Sequence, residues 1–421
     1  MSSAVNIRYA ADQQPTFAAT LERLQSAGAR PRLGVGERLD AMHALAAEIL
    51  NPASELRKRV PSQGLAYLAT FLQRSYLEGL LKREIGDLDS LQAFADVGSR
   101  KSIRRVPRGV VCHWLAGNVP LLAMFSWAVS VLLGNKNVMR LSSRQQDVVS
   151  PFLEALQSIS AIGEQIANET VVASFPSSDA ESHAAMSSVA DARIAWGGEE
   201  AVTAVRSLAA PWECEDIVFG PRVSLAVVDP EFIDNKGIAR LATDAVIFDQ
   251  LACSSPQCVF VKAPRDSDEL STFRETFEAA FEKATMTYPR HSLDFSESYI
   301  IELDRARAVL EGGTVFHDSS TRWTVAVMPA PNDTIQCANH FVQLIPFDSL
   351  DTVYEFIPLN IQTAVTQLGP DDYDEFTEEA AHRGVCRFPR PGEGNNFENP
   401  WDGVGLVSRL TRAVIRTNEH R

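Results

Sequence analysis

The sequence predicts an α/β protein of more than one domain, and three observations carry that expectation. A chain of 421 residues exceeds what one ordinary core accommodates. Its first hundred residues carry apolar positions at helical spacing only. From about residue 106, β-rich runs alternate with helical ones at the spacing of a parallel sheet with right-handed crossovers. The expected organisation is a helical region over 1–105, a Rossmann-like domain over 106–217, a second α/β domain over 218–390, and a C-terminal loop with a short terminal segment over 391–421.

Each element follows from its local pattern. "TFAATLERLQSAG", "GERLDAMHALAAEIL" and "QGLAYLATFLQRSYLEGLLKREI" repeat apolar residues every three or four positions, with Gly or Pro between them. Then "GVVCHWLA", "KNVMRLS", "ETVVASF" and "ARIAW" read as strands. The helices between them are 119–133, "QQDVVSPFLEALQSI" and "DAESHAAMSSVA", and another opens at "GGEEAVTAVRSL". A second alternating region begins at "VSLAVVD" and passes through "QCVFVK", "TRWTVAVMP", "HFVQLIPF" and "IQTAVTQL", with helices at "DELSTFRETFEAAFEKA" and "DTVYEFI". A Gly-, Asn- and Pro-rich loop, "RPGEGNNFENPWDGVG", leads to "LVSRLTRAVIR".

Composition excludes several functions. Hydrophobic content of 45% with 22% charged residues is globular. A net charge of −15 argues against nonspecific binding to nucleic acid or anionic membrane, while leaving room for a local basic pocket. Six cysteines without a CxxC pair suit a reduced, cytoplasmic protein, and no metal-ligand spacing occurs among them and the eight histidines. The N-terminus lacks the apolar core of a signal peptide. The most apolar run, residues 119–134, is short for a membrane span and reads as a buried helix.

The stretch "VIFDQLACSSPQCVFVK" holds two cysteines in different settings. Cys253 sits in a polar turn that Pro256 keeps from continuing as helix, whereas Cys258 falls inside a strand. A cysteine in a turn of small residues can be approached by a substrate; one in a strand serves packing. Elsewhere, Gly197 and Gly198 follow a strand and open a helix, so backbone N–H groups there could meet a phosphate. A tight connection needs the same pair. No Gly-x-Gly-x-x-Gly follows the first strand, and "LGVGERL" reads as a turn and helix cap.

Taken together, four stretches resemble the aldehyde dehydrogenase superfamily, and within it the LuxC-type acyl-CoA reductases. They are "VPRGVVCHWLAGNVPLLA", "LLGNKNVMRLSS", "DQLACSSPQ" and "NPWDGVG". The resemblance implies an aldehyde dehydrogenase-like fold with a Rossmann-like cofactor-binding domain and an α/β catalytic domain. It implies Cys253 as nucleophile and Asn118 as oxyanion donor beside the Cys253 backbone N–H. It also implies an acyl-CoA or acyl-carrier-protein substrate, a possible acyl-protein synthetase partner and a homo-oligomer.

Two departures from the superfamily pattern refine this. The glutamate that activates water in hydrolytic relatives has its counterpart near Val218, in "DIVFGPRVSL", with Glu213, Glu215 and Asp216 close by. Without such a base the acyl group should leave by reduction or by transfer to a thiol. After the second strand, "MRLSSRQ" places Arg140, Ser142, Ser143 and Arg144 where NAD-using relatives often carry a glutamate. Hydroxyls with guanidinium suit a 2′-phosphate, which points to NADPH, although Arg144 also fits a solvated helix start. The expected reaction is NADPH-dependent reduction of an acyl thioester to an aldehyde through a thioacyl-Cys253. Oxidation of an aldehyde to an acid on the same fold is the alternative. A silent acyl-binding subunit would lack the cysteine. A thioesterase would need a paired base, and His113 and His340, in strand-like surroundings, read as structural.

Overall fold

The computed structural model describes residues 6–9, 16–26, 33–98, 100–115, 117, 121–142, 146–290, 293–332 and 339–418. Two compact units emerge, one from Met1–Gly220 with Phe397–Arg421 and one from Pro221–Asn396.

In the first unit the strands are β1 (Asn6–Tyr9), β2 (Ala95–Asp96), β3 (Lys101–Pro107), β4 (Val110–Trp114), β5 (Lys136–Leu141), β6 (Thr170–Ser174), β7 (Ala192–Trp196) and β8 (Glu215–Phe219). Six of them form a sheet in the order β1-β6-β5-β4-β7-β8, parallel except for β1. Strands β4, β6 and β7 are buried at every position, the mark of a parallel sheet covered on both faces. The chain leaves β4 for β5 and β6 on one side and returns to β7 and β8 on the other. The topological switch point therefore lies between β4 and β7, and ligands of such sheets bind at the carboxyl ends there.

Helix Leu122–Leu132 is buried from Ala123 onward, which explains why its stretch is apolar all round. Among the described residues no helix is long and apolar enough to cross a membrane. The N-terminal helices pack on this sheet's helical layer: buried Arg38, on helix Val35–Leu50, donates to the Val131 carbonyl at 3.0 Å and pairs with Glu169 at 3.2 Å. Gly34 caps that helix, its N–H donating to the Glu37 carboxylate at 2.7 Å, so "LGVGERL" is a cap. The single helix expected over "QGLAYLATFLQRSYLEGLLKREI" is two, Leu65–Phe71 and Arg74–Ile85, because Gln73 adopts an extended backbone. No Gly or Pro marks the break. It lets Leu68 and Phe71 on one side, and Leu77, Leu80 and Leu81 on the other, all become buried.

The second unit holds β9 (Val223–Val228), β10 (Pro256–Lys262), β11 (Thr314–His317), β12 (Thr324–Val327), β13 (Phe341–Phe347) and β14 (Ile361–Gln367). Their order is β11-β12-β13-β10-β9-β14, parallel except for β11. Side chains alternate across the sheet: Val259 and Val261 join one core with Phe277 and Phe281, while Phe260 joins the other with Phe341 and Phe376. Helix Phe295–Leu310 and the strand after it were not foreseen. That helix exposes Phe295, Tyr299, Val309 and Leu310, which blurs its apolar stripe.

The chain then returns to the first unit. "LVSRLTRAVIR" is a short helix and a strand, β15 (Thr411–Thr417), which pairs antiparallel with β3; β2 completes a three-stranded sheet. From Arg412 onward β15 is exposed, so no apolar face announced it as a strand.

Candidate active site

Cys253 lies in a turn between helix Asn235–Val246 and β10, half-buried, and Cys258 lies within β10 against one of the cores. The approach to the turn is unusual. Phe248, Asp249 and Gln250 take φ values of 59°, 55° and 61°, three successive left-handed residues without a glycine. Facing them, Asn339 and His340 take 58° and 64°, and the Asn339 N–H donates to the Asp249 carbonyl at 3.3 Å. Each left-handed residue costs on the order of 1–2 kcal/mol, and such strain persists where surrounding bonds over-determine it, commonly at functional sites.

Those bonds are present. The buried Gln250 side chain donates to the Pro256 carbonyl at 3.1 Å and to the Phe341 carbonyl at 2.9 Å, and accepts from the Phe341 N–H at 2.9 Å. His340 Nε2 bonds the Val246 carbonyl at 3.1 Å; burial pushes this imidazole down to about 4, so it is neutral and donates there. The Cys253 carbonyl accepts from Ser224 of β9 at 2.6 Å. The neighbouring Ser254 hydroxyl donates to Asn395 at 2.8 Å. The turn carrying Cys253 is thus tied to three strands, β9, β10 and β13, and to one loop, while the residue itself stays partly accessible.

In the first unit, Arg140 stands at the carboxyl end of β5 and is 8% exposed. Its Nη2 donates to the Phe175 carbonyl at 2.9 Å and the guanidinium lies over the Phe175 ring, but its buried Nε has no partner. No ion pair to Arg140 occurs among the described residues, and burial pushes its pKa down. Beside it, His183 accepts from Trp114 Nε1 at 2.9 Å, and burial, then the Arg140 charge, hold its pKa below the ordinary value. An uncompensated buried cation at the carboxyl edge of a parallel sheet fits a phosphate. Ser142 follows β5 and is half-buried; Ser143, Arg144 and Asn118 lie outside the described residues.

Gly197 (φ 155°) and Gly198 open helix Glu199–Arg206, and a side chain built on Gly198 would meet nothing within 4 Å. Gly198 is exposed, and Glu199 and Glu200 in the first turn already complement the helix dipole.

Of the three carboxylates close to Val218, Glu215 and Asp216 are engaged elsewhere. Glu215 pairs with Arg108 at 3.0 Å and Arg409 at 2.5 Å, and Asp216 with Arg193 at 2.6 Å. Glu213, Glu215 and Asp216 all lie at the amino end of β8, opposite to the end where Arg140 and the glycine pair stand.

A family model described as acyl-CoA reductase (LuxC) matches residues 35–413, spanning both units. The chain belongs to the LuxC family. The family's description as acyl-CoA reductase makes the chain an oxidoreductase. The long-chain acyl-protein thioester reductase of Aliivibrio fischeri is 24% identical over 81% of this chain and 70% of its own length. Its namesake from Vibrio harveyi is 23% identical, over 74% of this chain and 65% of its own length. Solved structures carry the fold. An indole-3-acetaldehyde dehydrogenase from P. syringae superposes with a TM-score of 0.68 at 13% identity, covering 98% of this chain and 93% of that one. An aldehyde dehydrogenase from Pseudomonas aeruginosa gives 0.69 at 14% identity, with 96% and 90% covered. The fold expected from the LuxC resemblance is the one observed.

Sequence reasoning singled out Cys253 as the candidate nucleophile but missed the residues that hold its turn. Gln250 was in plain view within "DQLACSSPQ", and Asn395 within "GEGNNF". A buried amide so close to the nucleophile segment was the available signal. Ser224 had none, being one small residue in an apolar strand.

Proposed function

We propose that this LuxC family member reduces an acyl thioester to an aldehyde with NADPH, the acyl group being carried on Cys253. The observation that supports this most is the clamped, partly accessible turn that presents Cys253 within the family's nucleophile segment. The Cys253 thiolate attacks the thioester carbonyl, the tetrahedral oxyanion collapses, and the donor thiol leaves with a proton. Asn118 and the Cys253 backbone N–H are the oxyanion donors in this reading. NADPH supplies the hydride that the thioacyl carbon accepts. The resulting hemithioacetal oxyanion on Cys253 collapses by re-forming its carbonyl and breaking the carbon–sulfur bond, which releases the aldehyde and returns the Cys253 thiolate.

Arg140 suits the cofactor's 2′-phosphate, joined in this proposal by Ser142, Ser143 and Arg144, with Gly197 and Gly198 near the pyrophosphate. Hydrolysis to an acid is disfavoured because Glu215 and Asp216 are committed to guanidinium groups. The relatives' names support a protein-borne acyl group, and the family's description supports CoA; a synthetase partner, a homo-oligomer and a cytoplasmic setting complete the proposal.

The test uses acyl-CoAs of graded chain length. Without NADPH, intact-protein mass spectrometry should find a persistent acyl adduct, since a thioester without general-base help forgoes roughly 10²–10⁴-fold in hydrolysis rate. Adding NADPH should discharge it to aldehyde. Cys253→Ala should form no adduct, whereas Cys258→Ala should form it normally with only a stability loss. Rapid free-acid release without cofactor would overturn the reading.

A further inference from the structure

The loop that meets Ser254 is itself anchored, and the anchor is a buried carboxylate that the reaction does not consume. Asp244, on the helix leading to the nucleophile turn, is fully buried. Its Oδ2 accepts from the Gly392 N–H at 2.6 Å, with the Gly394 amide and the Asn395 side chain adding to its stabilisation. The loop is shaped for that approach. A side chain on Gly394 would come within 3.2 Å of the Asp244 carboxyl carbon and 3.0 Å of Val365. Gly392 has φ 94° and would drive a side chain against Arg240. Buried Arg387 donates to the Gly394 and Asn396 carbonyls at 3.2 and 2.8 Å, closing the loop from its other side.

Asn395 projects from this anchored loop with both ends of its amide used. Its Nδ2 donates to the Asp244 carbonyl at 2.9 Å, and its Oδ1 accepts from the Ser254 hydroxyl at 2.8 Å. Asn395 is 6% exposed and Ser254 4%, so water does not readily replace either bond. The Asp244 backbone on one side and Ser254 on the other belong to the two flanks of the left-handed run at Phe248–Gln250. One amide therefore fixes the span across which the strained backbone must hold its shape.

We propose that Asn395 is a positioning residue that sets the direction of the Cys253 sulfur through Ser254, with Asp244 holding the loop that presents it. The proposal rests on Cys253 as the acyl carrier. A nucleophile displaced by about 1 Å can lose on the order of 10²-fold in rate while substrate binding is untouched. Ser254 thereby acts as the relay between loop and nucleophile, a role that a bulky apolar residue could not fill.

The experiment measures acylation of the full chain by a long-chain acyl-CoA without cofactor, quenched and read by intact-protein mass, for Ser254→Ala, Asn395→Ala and the double variant. Each single variant should slow acylation roughly tenfold to a hundredfold. The half-saturating acyl-CoA concentration and the NADPH dissociation constant should stay at parent values. The double variant should be no slower than the slower single, because both singles remove the same Ser254–Asn395 hydrogen bond. If Asn395→Ala does not fold, Ser254→Ala carries the test, since it leaves the loop's bonds to Asp244 intact. Parent-like acylation of Ser254→Ala would overturn the proposal, as would singles whose effects multiply. Cys253→Ala separates the two readings. An adduct on that variant would remove the acyl-carrier assignment, whereas its absence with normal Ser254→Ala kinetics would remove only the positioning role.

Discussion

Arg140 is a buried cation with no carboxylate partner among the described residues, and such a charge is costly unless a ligand compensates it. Replacing it by methionine keeps the packing against Phe175 and removes the charge. For Arg140→Met we expect the ratio of kcat/KM for NADPH over NADH to fall about tenfold to a hundredfold, the worth of one charge-assisted contact of roughly 1.5–3 kcal/mol. Thermal stability of the ligand-free variant should hold or rise, since a buried unpaired charge is gone. An unchanged cofactor ratio would show that this guanidinium faces something other than phosphate. Arg140 was legible in the sequence as a basic residue after a strand; its lack of a carboxylate partner was not, because ion pairing is decided by residues distant in the chain. Cys253 was legible because Pro256 and its small neighbours act locally. The role of Glu215 and Asp216 became plain only with Arg108, Arg409 and Arg193 in place.

Among the elements, the left-handed turn before Cys253 is the one the sequence concealed. Phe248, Asp249 and Gln250 include no glycine, so no turn rule marks them. The turn exists because Gln250 substitutes for backbone partners on β10 and β13. Gln250→Leu would keep the volume and leave the Phe341 N–H and two carbonyls unpaired in a buried place. We expect a loss of roughly 2–4 kcal/mol, read as a lower urea midpoint for the second unit, together with slower acylation of Cys253. A variant as stable as the parent would mean that the turn holds without its clamp. The strands β4, β6, β7, β9, β10, β13 and β14 were legible for the opposite reason. Doubly covered parallel strands are nearly continuous apolar runs, and their neighbours do not need to be known to recognise them. Strand β15 and helix Phe295–Leu310 carry apolar residues on exposed faces and so escaped that rule.

For the molecule as a whole, buried titrating groups give the two units different responses to acid. In the first unit His113 is fully buried, bonded to Asn137 at 3.0 Å, and burial lowers its pKa to about 4; His183 is also lowered. A histidine depressed in the folded state leaves stability intact above its ordinary value near 6.5 and loses it as pH falls toward the folded value. In the second unit His340 behaves the same way, but Asp244 opposes it. Burial raises that carboxyl to about 7, so its folded form keeps a proton the unfolded chain releases, and its contribution is lost as pH rises from about 4 to 7. Acidification from pH 7 to 5 should therefore loosen the first unit by about 2 kcal/mol through His113, with His183 adding in the same direction, while the second unit changes less. Amide hydrogen exchange followed by mass spectrometry at the two pH values reads each unit separately; equal loss of protection in both would contradict the assignment. Asp244→Asn should make the second unit acid-sensitive as well.

The return of Phe397–Arg421 to the first unit has a consequence for how the chain is made. During synthesis β3 waits for β15, its antiparallel partner, until the whole of Pro221–Asn396 has left the ribosome. The second unit is contiguous and can complete itself while the first is still missing a strand. A released chain truncated just before Thr411 should thus protect the second unit from protease and leave the edge of β3 open to whatever extended segment reaches it first.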